Sequence, residues 1–150
     1  MMLEVLIFKT KCTIILIQYG GGSIKIDYHS NIPVYKQIVH EFEDMIISGT
    51  LKPGDFLPSV RTLALELNVN PNTVAKAFFV LQSNGFIDSK AGVGNYVVKP
   101  PPSSVDKRLN ELMDEMRSLV LKMKGFNLSK EEIVKKIDEL IEEAYDGKSS

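Results

Sequence analysis

The stretch Leu57-Pro-Ser-Val-Arg-Thr-Leu-Ala-Leu-Glu-Leu-Asn-Val-Asn-Pro-Asn-Thr-Val-Ala-Lys-Ala-Phe78 decides the fold of this 150-residue chain. Ser59 can accept a hydrogen bond from the free N–H groups that open a helix, and Asn70 followed by Pro71 is a stronger signal of the same kind. The pattern predicts two short helices joined by a tight connection at 68–70. This arrangement is typical of motifs that place their second helix in the major groove of DNA.

The sequence around this stretch predicts a further helix before it and a β-hairpin after it. The predicted elements are a first helix from Pro33 to about Ser48, helices at about 60–67 and 71–83, and strands at 86–90 and 95–98. Gly49 ends the first helix, because glycine adopts the left-handed backbone of a helix end at little cost. Gly92-Val-Gly94 joins the two strands as a hairpin turn. A hairpin directly after a helix-turn-helix is a wing.

A proline-rich segment separates this part from a helical tail. Three consecutive prolines in the segment 100–104 predict a stiff linker and a domain boundary. In the helix that follows, apolar residues recur at spacings of four and three, which is a heptad seam. The seam residues, which we predict to hold two copies together, are Val105, Leu109, Leu112, Met116, Leu119 and Met123. Ser129 and Glu132 form a capping box for a second helix, and the two amphipathic helices of 105–147 need a partner to bury their apolar faces.

The first 23 residues fit the rest of the chain poorly. The segments 2–8 and 13–19 are apolar and β-branched, which predicts two strands or one hairpin that turns at 9–11. The alternative is that residues 1–23 are an extension outside the native fold, such as an early start codon would add. Both interpretations stay open, and we place the start of the central domain at residue 24, where alternating apolar residues predict a short strand.

Composition excludes several classes of protein. With 44% hydrophobic and 25% charged residues the chain can bury a core. Cys12 is the single cysteine, so we predict no disulfide framework and no metal site. Glu4, Lys9 and Lys11 interrupt the apolar N-terminus before it could span a membrane, and we expect a cytoplasmic protein without a secretory signal. No motif for catalysis or cofactor binding is found, so we predict that the protein is not an enzyme.

Candidate DNA contacts cluster at the N-terminal end of the helix at 71–83. Asn72 and Thr73 carry groups suited to the edges of adenine and thymine, and Lys76 is suited to a phosphate. Asn70 caps the helix and can contact DNA as well. The alternative is that these side chains form an ordinary solvated helix face. The order of helix-turn-helix and wing favours the DNA interpretation.

Three further residues belong to the same hypothesis. Arg61 can reach a phosphate or a guanine, although a weak surface ion pair with Asp55 or Glu66 is the commoner fate of such an arginine. Gly94, at the tip of the predicted wing, allows the backbone to approach a minor groove. Phe79 lies on the outer arc of the recognition helix, and we expect it to pack under the wing or an N-terminal strand rather than against DNA.

Several longer motifs run through residues 24–98. They are Pro33-Val-Tyr-Lys-Gln-Ile38, Gly49-x-Leu51-Lys-Pro-Gly-Asp-x-Leu-Pro-Ser-Val-Arg61, Leu63-Ala64, Val69-Asn-Pro-Asn-Thr-Val74, Leu81-x-x-x-Gly85 and Gly92-x-Gly94-x-Tyr96-Val97. Together they resemble the DNA-binding domain of the GntR family of bacterial and archaeal transcription regulators. The Asn-Pro-Asn-Thr-Val run and the short helical tail are similar to its YtrA-type subfamily. Val60, Phe79 and Asn95 depart from the residue types usual at their positions.

The resemblance implies a mainly α protein with a small antiparallel β wing, in which a winged helix-turn-helix at 24–99 precedes a two-helix dimerisation region. It implies a homodimeric transcriptional regulator, a repressor acting on a palindromic operator in double-stranded DNA, often at genes for ABC transporters. Carried over by motif, the DNA contacts fall on Arg61, Asn70, Asn72, Thr73, Lys76 and Gly94. It implies no cofactor.

The charge balance keeps a second hypothesis open. Residues 31–99 carry six Lys/Arg and six Asp/Glu, whereas affinity for DNA rises with the number of phosphates that a protein neutralises. The alternative is a winged-helix module for protein–protein contact without specific DNA affinity. The sequence does not identify the operator, the regulated genes, the direction of regulation or a small-molecule effector.

Overall fold

The computed structural model describes residues 14–19 and 21–147. Within these ranges the elements are β1 (Ile14–Tyr19), β2 (Gly22–Asp27), α1 (Val34–Ile47), α2 (Val60–Leu67), α3 (Pro71–Ser83), β3 (Ile87–Lys90), β4 (Gly94–Val97), α4 (Pro102–Gly125) and α5 (Lys130–Tyr145). The chain divides into two compact units, the first ending at Arg108 and the second beginning at Leu109. The predicted class, mainly helical with a small antiparallel wing, is confirmed.

The core of the first unit lies between α1, α2, α3 and the strand β2. Apolar residues at helical spacing point inward from each helix. The side chains at the centre are each exposed by a few per cent at most. The largest fully buried side chains include Phe42 of α1 and Phe86, which directly precedes β3. The rings of Phe42 and Phe78 meet edge to face with centroids 5.9 Å apart, an arrangement that aromatic pairs prefer. This packing fixes α3 against α1.

The described N-terminal strands form a hairpin that was not predicted from the sequence. β1 pairs antiparallel with β2, from Ile14 opposite Asp27 to Tyr19 opposite Gly22. The predicted strand at 2–8 and the predicted turn at 9–11 lie outside the described residues. Glycine suits the turn between β1 and β2 because Gly21 has φ +89°, a conformation that costs other residues strain.

β2 belongs to the core of the first unit. Its Ile24 and Ile26 are completely buried. At Gly22 a Cβ atom would lie only 2.7 Å from the sulfur of Met45, so a side chain at this position would require the Met45 side chain to shift. Residues 14–19 are therefore part of this unit, whereas the sequence placed its start at residue 24.

The wing contains β3 and β4, paired from Ile87 opposite Val97 to Lys90 opposite Gly94. The segment before α2 pairs with its outer strand: Leu57 donates its N–H to the carbonyl of Asn95 at 2.9 Å. The wing is therefore joined by backbone hydrogen bonds to the entry of the helix-turn-helix.

The predicted stiff linker at 100–104 is wrong in part, because α4 already begins at Pro102. Proline at the start of a helix loses nothing, since the first N–H groups of a helix have no internal partner. The start of α4 is held to the first unit by the Ser104 hydroxyl, which donates to the carbonyl of Asn84 at 2.6 Å. Further along, the Arg108 guanidinium forms two hydrogen bonds of 2.8 Å to the Asp44 carboxylate. The first residues of α4, up to Arg108, are therefore part of the first unit.

The second unit comprises the rest of α4 and α5. Ser129 caps α5, as the sequence predicted. Its hydroxyl accepts from the N–H of Glu132, and the Glu132 carboxylate accepts from the N–H of Ser129. Among its described residues, Ile133 is the one apolar side chain that is buried. No described helix is both long enough and apolar enough to cross a membrane.

Candidate nucleic-acid interface

Residues of the central stretch itself fix the start of α2, the end of α2 and the start of α3, as predicted. The Ser59 hydroxyl accepts from the N–H of Thr62 at 3.1 Å and opens α2. Asn68 ends α2 in the left-handed conformation, with φ +52°. Asn70 opens α3, its side-chain oxygen accepting from the N–H of Asn72 at 2.8 Å. Local hydrogen bonds therefore determine a turn of two residues, Asn68 and Val69, before the cap.

The predicted contact residues of α3 do not all have the same accessibility. Asn72 and Lys76, one turn apart, are both exposed and share a face. Thr73 lies beside that face and is only half-buried, so its hydroxyl and methyl remain accessible. The Asn70 oxygen is engaged in the cap, which leaves the amide NH₂ of that side chain as its group for an external partner. The exposed residues among the predicted DNA contacts of α3 are therefore concentrated on its first two turns.

Lys76 is held in place by an aromatic ring of another helix. Its Nζ lies 3.9 Å from the centroid of the Tyr35 ring on α1. A cation over an aromatic face is attracted by the ring's quadrupole, by roughly 0.5–1 kcal/mol at an exposed site. The contact limits the side-chain freedom of Lys76 without neutralising its charge. Sequence reasoning missed this pair, although Tyr35 lies within the motif Pro33-Val-Tyr-Lys-Gln-Ile38.

Two polar side chains attach the N-terminal segment to the helix-turn-helix. The Tyr28 hydroxyl donates to the carbonyl of Leu67, at the end of α2. Burial raises the pKa of the Tyr28 phenol above its ordinary value, so this group stays a proton donor at neutral pH. On α1, the Gln37 amide accepts from the N–H of Asp27 at 2.8 Å and donates to its carbonyl at 2.9 Å. The Tyr28 contact therefore holds the end of α2, and the Gln37 contacts join α1 to the end of β2.

Arg61 and Gly94 lie on different elements of the same unit. Arg61 is exposed in the first turn of α2, and within the described residues it forms no ion pair with Asp55 or Glu66. Gly94 is exposed at the start of β4 and has φ +115°, a conformation that strains any other residue. The guanidinium is therefore available to an external anion, and the end of the wing presents bare backbone.

Tertiary contacts engage much of the acidic charge of α1 away from this face. Glu43 is 4% exposed and accepts from the Asn84 amide at 3.1 Å, at the far end of α3. Asp44 is paired with Arg108. Burial raises the pKa of the Glu41 carboxyl above its ordinary value. Glu43 and Asp44 therefore have partners that lie outside the first two turns of α3.

Phe79 does not pack under the wing or the described N-terminal strands. It is 70% exposed, on the face of α3 that carries Asn72 and Lys76. The reason is helical geometry, because the inward arc of α3 is filled by Val74, Ala77, Phe78 and Leu81. No group of three or more His, Cys, Asp or Glu able to hold a metal ion occurs in the described part of the chain.

Comparison with known proteins places these features in context. A family model described as bacterial regulatory proteins, gntR family, matches residues 34–97. The chain is 31% identical over 128 residues to the HTH-type transcriptional repressor YtrA of Bacillus subtilis (strain 168), covering 85% of this chain and 98% of that protein. It is 32% identical over 111 residues to the uncharacterised HTH-type transcriptional regulator YhcF of the same organism, covering 73% and 91%. The solved structure of a GntR family transcriptional regulator from Listeria monocytogenes matches with a TM-score of 0.59 and 30% identity, over 75% of this chain and 98% of that one.

Proposed function

This chain belongs to the gntR family of bacterial regulatory proteins and is a DNA-binding transcriptional regulator, and we propose that it acts as a homodimeric repressor on a palindromic operator. Its relatives are transcriptional regulators, not enzymes, in agreement with the prediction from sequence. The observation that carries the proposal is the exposed, braced N-terminal half of α3, with Lys76 positioned by Tyr35. This half would enter the major groove of one half-site.

Each predicted contact has a distinct role in this proposal. Asn72 and Thr73 would read base edges, and Lys76 and Arg61 would bind phosphates. The Asn70 amide would donate to the backbone or a base beside the cap. The exposed Gly94 backbone would lie against the adjacent minor groove. The contacts of Tyr28 with the end of α2 and of Tyr35 with Lys76 support this assignment, since base readout needs a fixed helix.

The second unit supports the homodimer. Leu109, Leu112, Met116 and Leu119 lie along one side of α4 and are all exposed within the described chain. Each buried Leu or Met side chain contributes roughly 1.5–3 kcal/mol relative to leaving it in water. A second copy would bury the same seam on both sides, as two-fold symmetry requires. Val105 and Met123, already half-buried, would lie at its two ends.

Repression and transporter genes as targets are proposed by similarity. The relative YtrA carries the name of a repressor. A dimer can repress by occupying its operator. Transcription from a reporter joined to the upstream region of the protein's own gene should fall when the protein is supplied. An increase in transcription would show an activator.

Selection from a random duplex library followed by gel-shift titration tests DNA reading. The selected duplex should contain an inverted repeat and bind at least a thousandfold more tightly than random duplex, since specific binding typically exceeds non-specific binding by about 10³ or more. Asn72→Ala should relax sequence choice. Lys76→Ala should weaken binding to all duplexes alike and reduce the salt slope by about 2 for a dimer, and Lys130→Ala in α5 serves as the control. Equal affinity for selected and random duplexes would instead favour the protein-contact module.

The dimer is tested with charge placed on the seam. The variant Leu112→Glu/Leu119→Glu should sediment as a monomer and lose about a hundredfold or more in affinity for the selected duplex, because linking two half-site binders raises affinity by about that factor or more. Leu121→Glu is the matched control, since Leu121 is exposed on the opposite side of α4. A dimer that survives the double substitution would place the interface elsewhere.

A further inference from the structure

Phe79 is an exposed aromatic residue in a place where the fold does not need one. The inward arc of α3 is complete without it, and its ring is 70% exposed. The ring projects from the face that presents Asn72 and Lys76, to which it is related by helical spacings of seven and three residues. These spacings keep all three side chains within about 60° of one another around the helix axis.

The same face offers little else beyond Lys76. Ser83, the next residue along the stripe, donates its hydroxyl to the carbonyl of Phe79 at 2.8 Å. Phe79 lies about 10 Å along the axis from Asn72, at a rise of roughly 1.5 Å per residue. The major groove is wide enough, at about 12 Å, to admit an α-helix. A helix that lies along the groove with Asn72 directed at its floor also directs Phe79 towards that floor, roughly three base pairs further along at about 3.4 Å per base pair.

The chemistry of the groove identifies what an apolar ring can meet there. Hydrogen-bond donors and acceptors of the bases gain nothing from a phenyl ring. The apolar group that the major groove displays is the C5 methyl of thymine. On the basis of the proposed function, we propose that Phe79 is a specificity-determining residue that reads one thymine methyl in each half-site.

The experiment uses the full-length protein and the duplex that it selects from a random library. Each thymine is replaced in turn, symmetrically in both half-sites, by deoxyuridine, which lacks only the methyl group. Removing a buried methyl costs about fourfold in affinity per half-site, so one symmetric replacement should weaken binding by the unmodified protein about fifteenfold. Phe79→Ala should bind the thymine and deoxyuridine duplexes within about twofold of each other.

Two further variants keep the outcome unambiguous. Phe79→Leu retains an apolar side chain and should keep a reduced preference for thymine. Phe126→Ala removes another exposed phenylalanine, in the second unit, and should keep the full preference. All three variants should keep the thermal midpoint and sedimentation coefficient of the unmodified protein, because the substituted rings are exposed.

Three results would overturn the proposal. One is a Phe79→Ala variant with the same thymine dependence as the unmodified protein, and another is a selected duplex in which no deoxyuridine replacement matters. The third is a change of oligomeric state or a loss of folding in Phe79→Ala, which would assign the ring to protein contact. None of these affects the proposed function, whose failure would show earlier as the absence of any selected sequence.

Discussion

Most apolar side chains of the first unit are buried, whereas most of those described in the second are exposed. In the first, residues such as Phe42, Leu63 and Leu81 are fully buried between three helices and a strand. In the second, Leu119 on α4 is 59% exposed and Ile133 is the buried apolar residue among those described. Two helices cannot enclose a core of useful size, because surface grows relative to volume as a domain shrinks. The first unit is thus complete as a single copy, and we expect the second to be completed by a partner.

The two units also differ in their ion pairs. Arg108, at the end of the first unit, is 5% exposed and makes a two-pronged bond to Asp44. Arg117, in the second, pairs with Asp114 at the same 2.8 Å distance, but both side chains are more than two-thirds exposed. Equal distance does not mean equal energy, since water screens and competes with the exposed pair. Burial, rather than geometry alone, separates a structural contact from an incidental one.

The largest expected effect tests the difference in cores. Phe42→Ala should lower the free energy of unfolding by about 3–5 kcal/mol, because it leaves a cavity in a filled interior. Leu119→Ala should change it by less than about 0.5 kcal/mol at protein concentrations where the chain is monomeric. Urea denaturation followed by circular dichroism measures both. A comparable loss in the two variants would mean that the second unit has a core of its own.

The next effect tests the difference in ion pairs. Arg108→Ala should cost about 2 kcal/mol of stability, since it removes two charge-assisted hydrogen bonds that hold the start of α4 to α1. The cost stays below that of a fully buried pair because Asp44 is half-exposed and can regain water. Arg117→Ala is the matched control and should lie within about 0.5 kcal/mol of the unmodified protein. Equal effects in the same denaturation assay would reject the distinction by burial.

A smaller effect tests the contact between Tyr35 and Lys76 on the face of α3 that we propose to bind DNA. A double-mutant cycle between Tyr35→Leu and Lys76→Ala, measured as affinity for the selected duplex, should give a coupling of about 0.5–1 kcal/mol per half-site. Tyr35→Phe keeps the ring face and should retain affinity, whereas Tyr35→Leu should bind roughly two- to fourfold more weakly per half-site. Additive losses would show that Tyr35 does not position Lys76.

The smallest effect concerns pH and the cap of α5 in the second unit. The backbone N–H and then the hydroxyl of Ser129 hold the pKa of the Glu132 carboxyl below its ordinary value of 4.5. A lowered folded-state pKa gives stability that is present above about pH 4.5 and lost as the pH falls through that lowered value. Glu132→Gln should therefore reduce helix content at pH 7.

At acid pH, once the pH has fallen through that lowered pKa and both side chains are neutral, the helix contents of the unmodified protein and Glu132→Gln should converge. Circular dichroism at the two pH values provides the measurement. The core of the first unit should not respond to this substitution. A difference between the two proteins that persists unchanged at low pH would exclude the charged carboxylate as the cause.

Short-range patterns in the sequence were enough to predict most helix starts and buried helix faces in the two units. Asn70 with Pro71 predicts the start of α3, and Ser129 with Glu132 predicts the start of α5, because a cap is a hydrogen bond between residues two or three apart. Helical periodicity predicts which faces of α1 and α3 are buried. The resemblance in the motifs of residues 24–98 adds the family. The contact roles of Asn72, Thr73 and the others remain predictions.

Sequence patterns did not predict the contacts between residues far apart in the chain. The pairing of the strand at 14–19 with β2 was not predicted, since a strand pattern carries no label for its partner. Phe79 was expected to be covered, because an aromatic residue read in isolation suggests burial. The junction at 100–104 was read as an extended linker from its prolines, although Pro102 is equally suited to open a helix.

The sequence by itself therefore determined the helix-turn-helix, the wing, the capped tail helix and the heptad seam, all of which depend on residues close together in the chain. Only the tertiary structure decided which strand β2 pairs with, that Tyr35 holds Lys76, and that Glu43 and Asp44 are engaged away from the first two turns of α3. The physical reason is distance along the chain. Caps and periodicity are fixed by neighbours, whereas contacts such as Arg108 with Asp44 exist only once packing brings remote segments together.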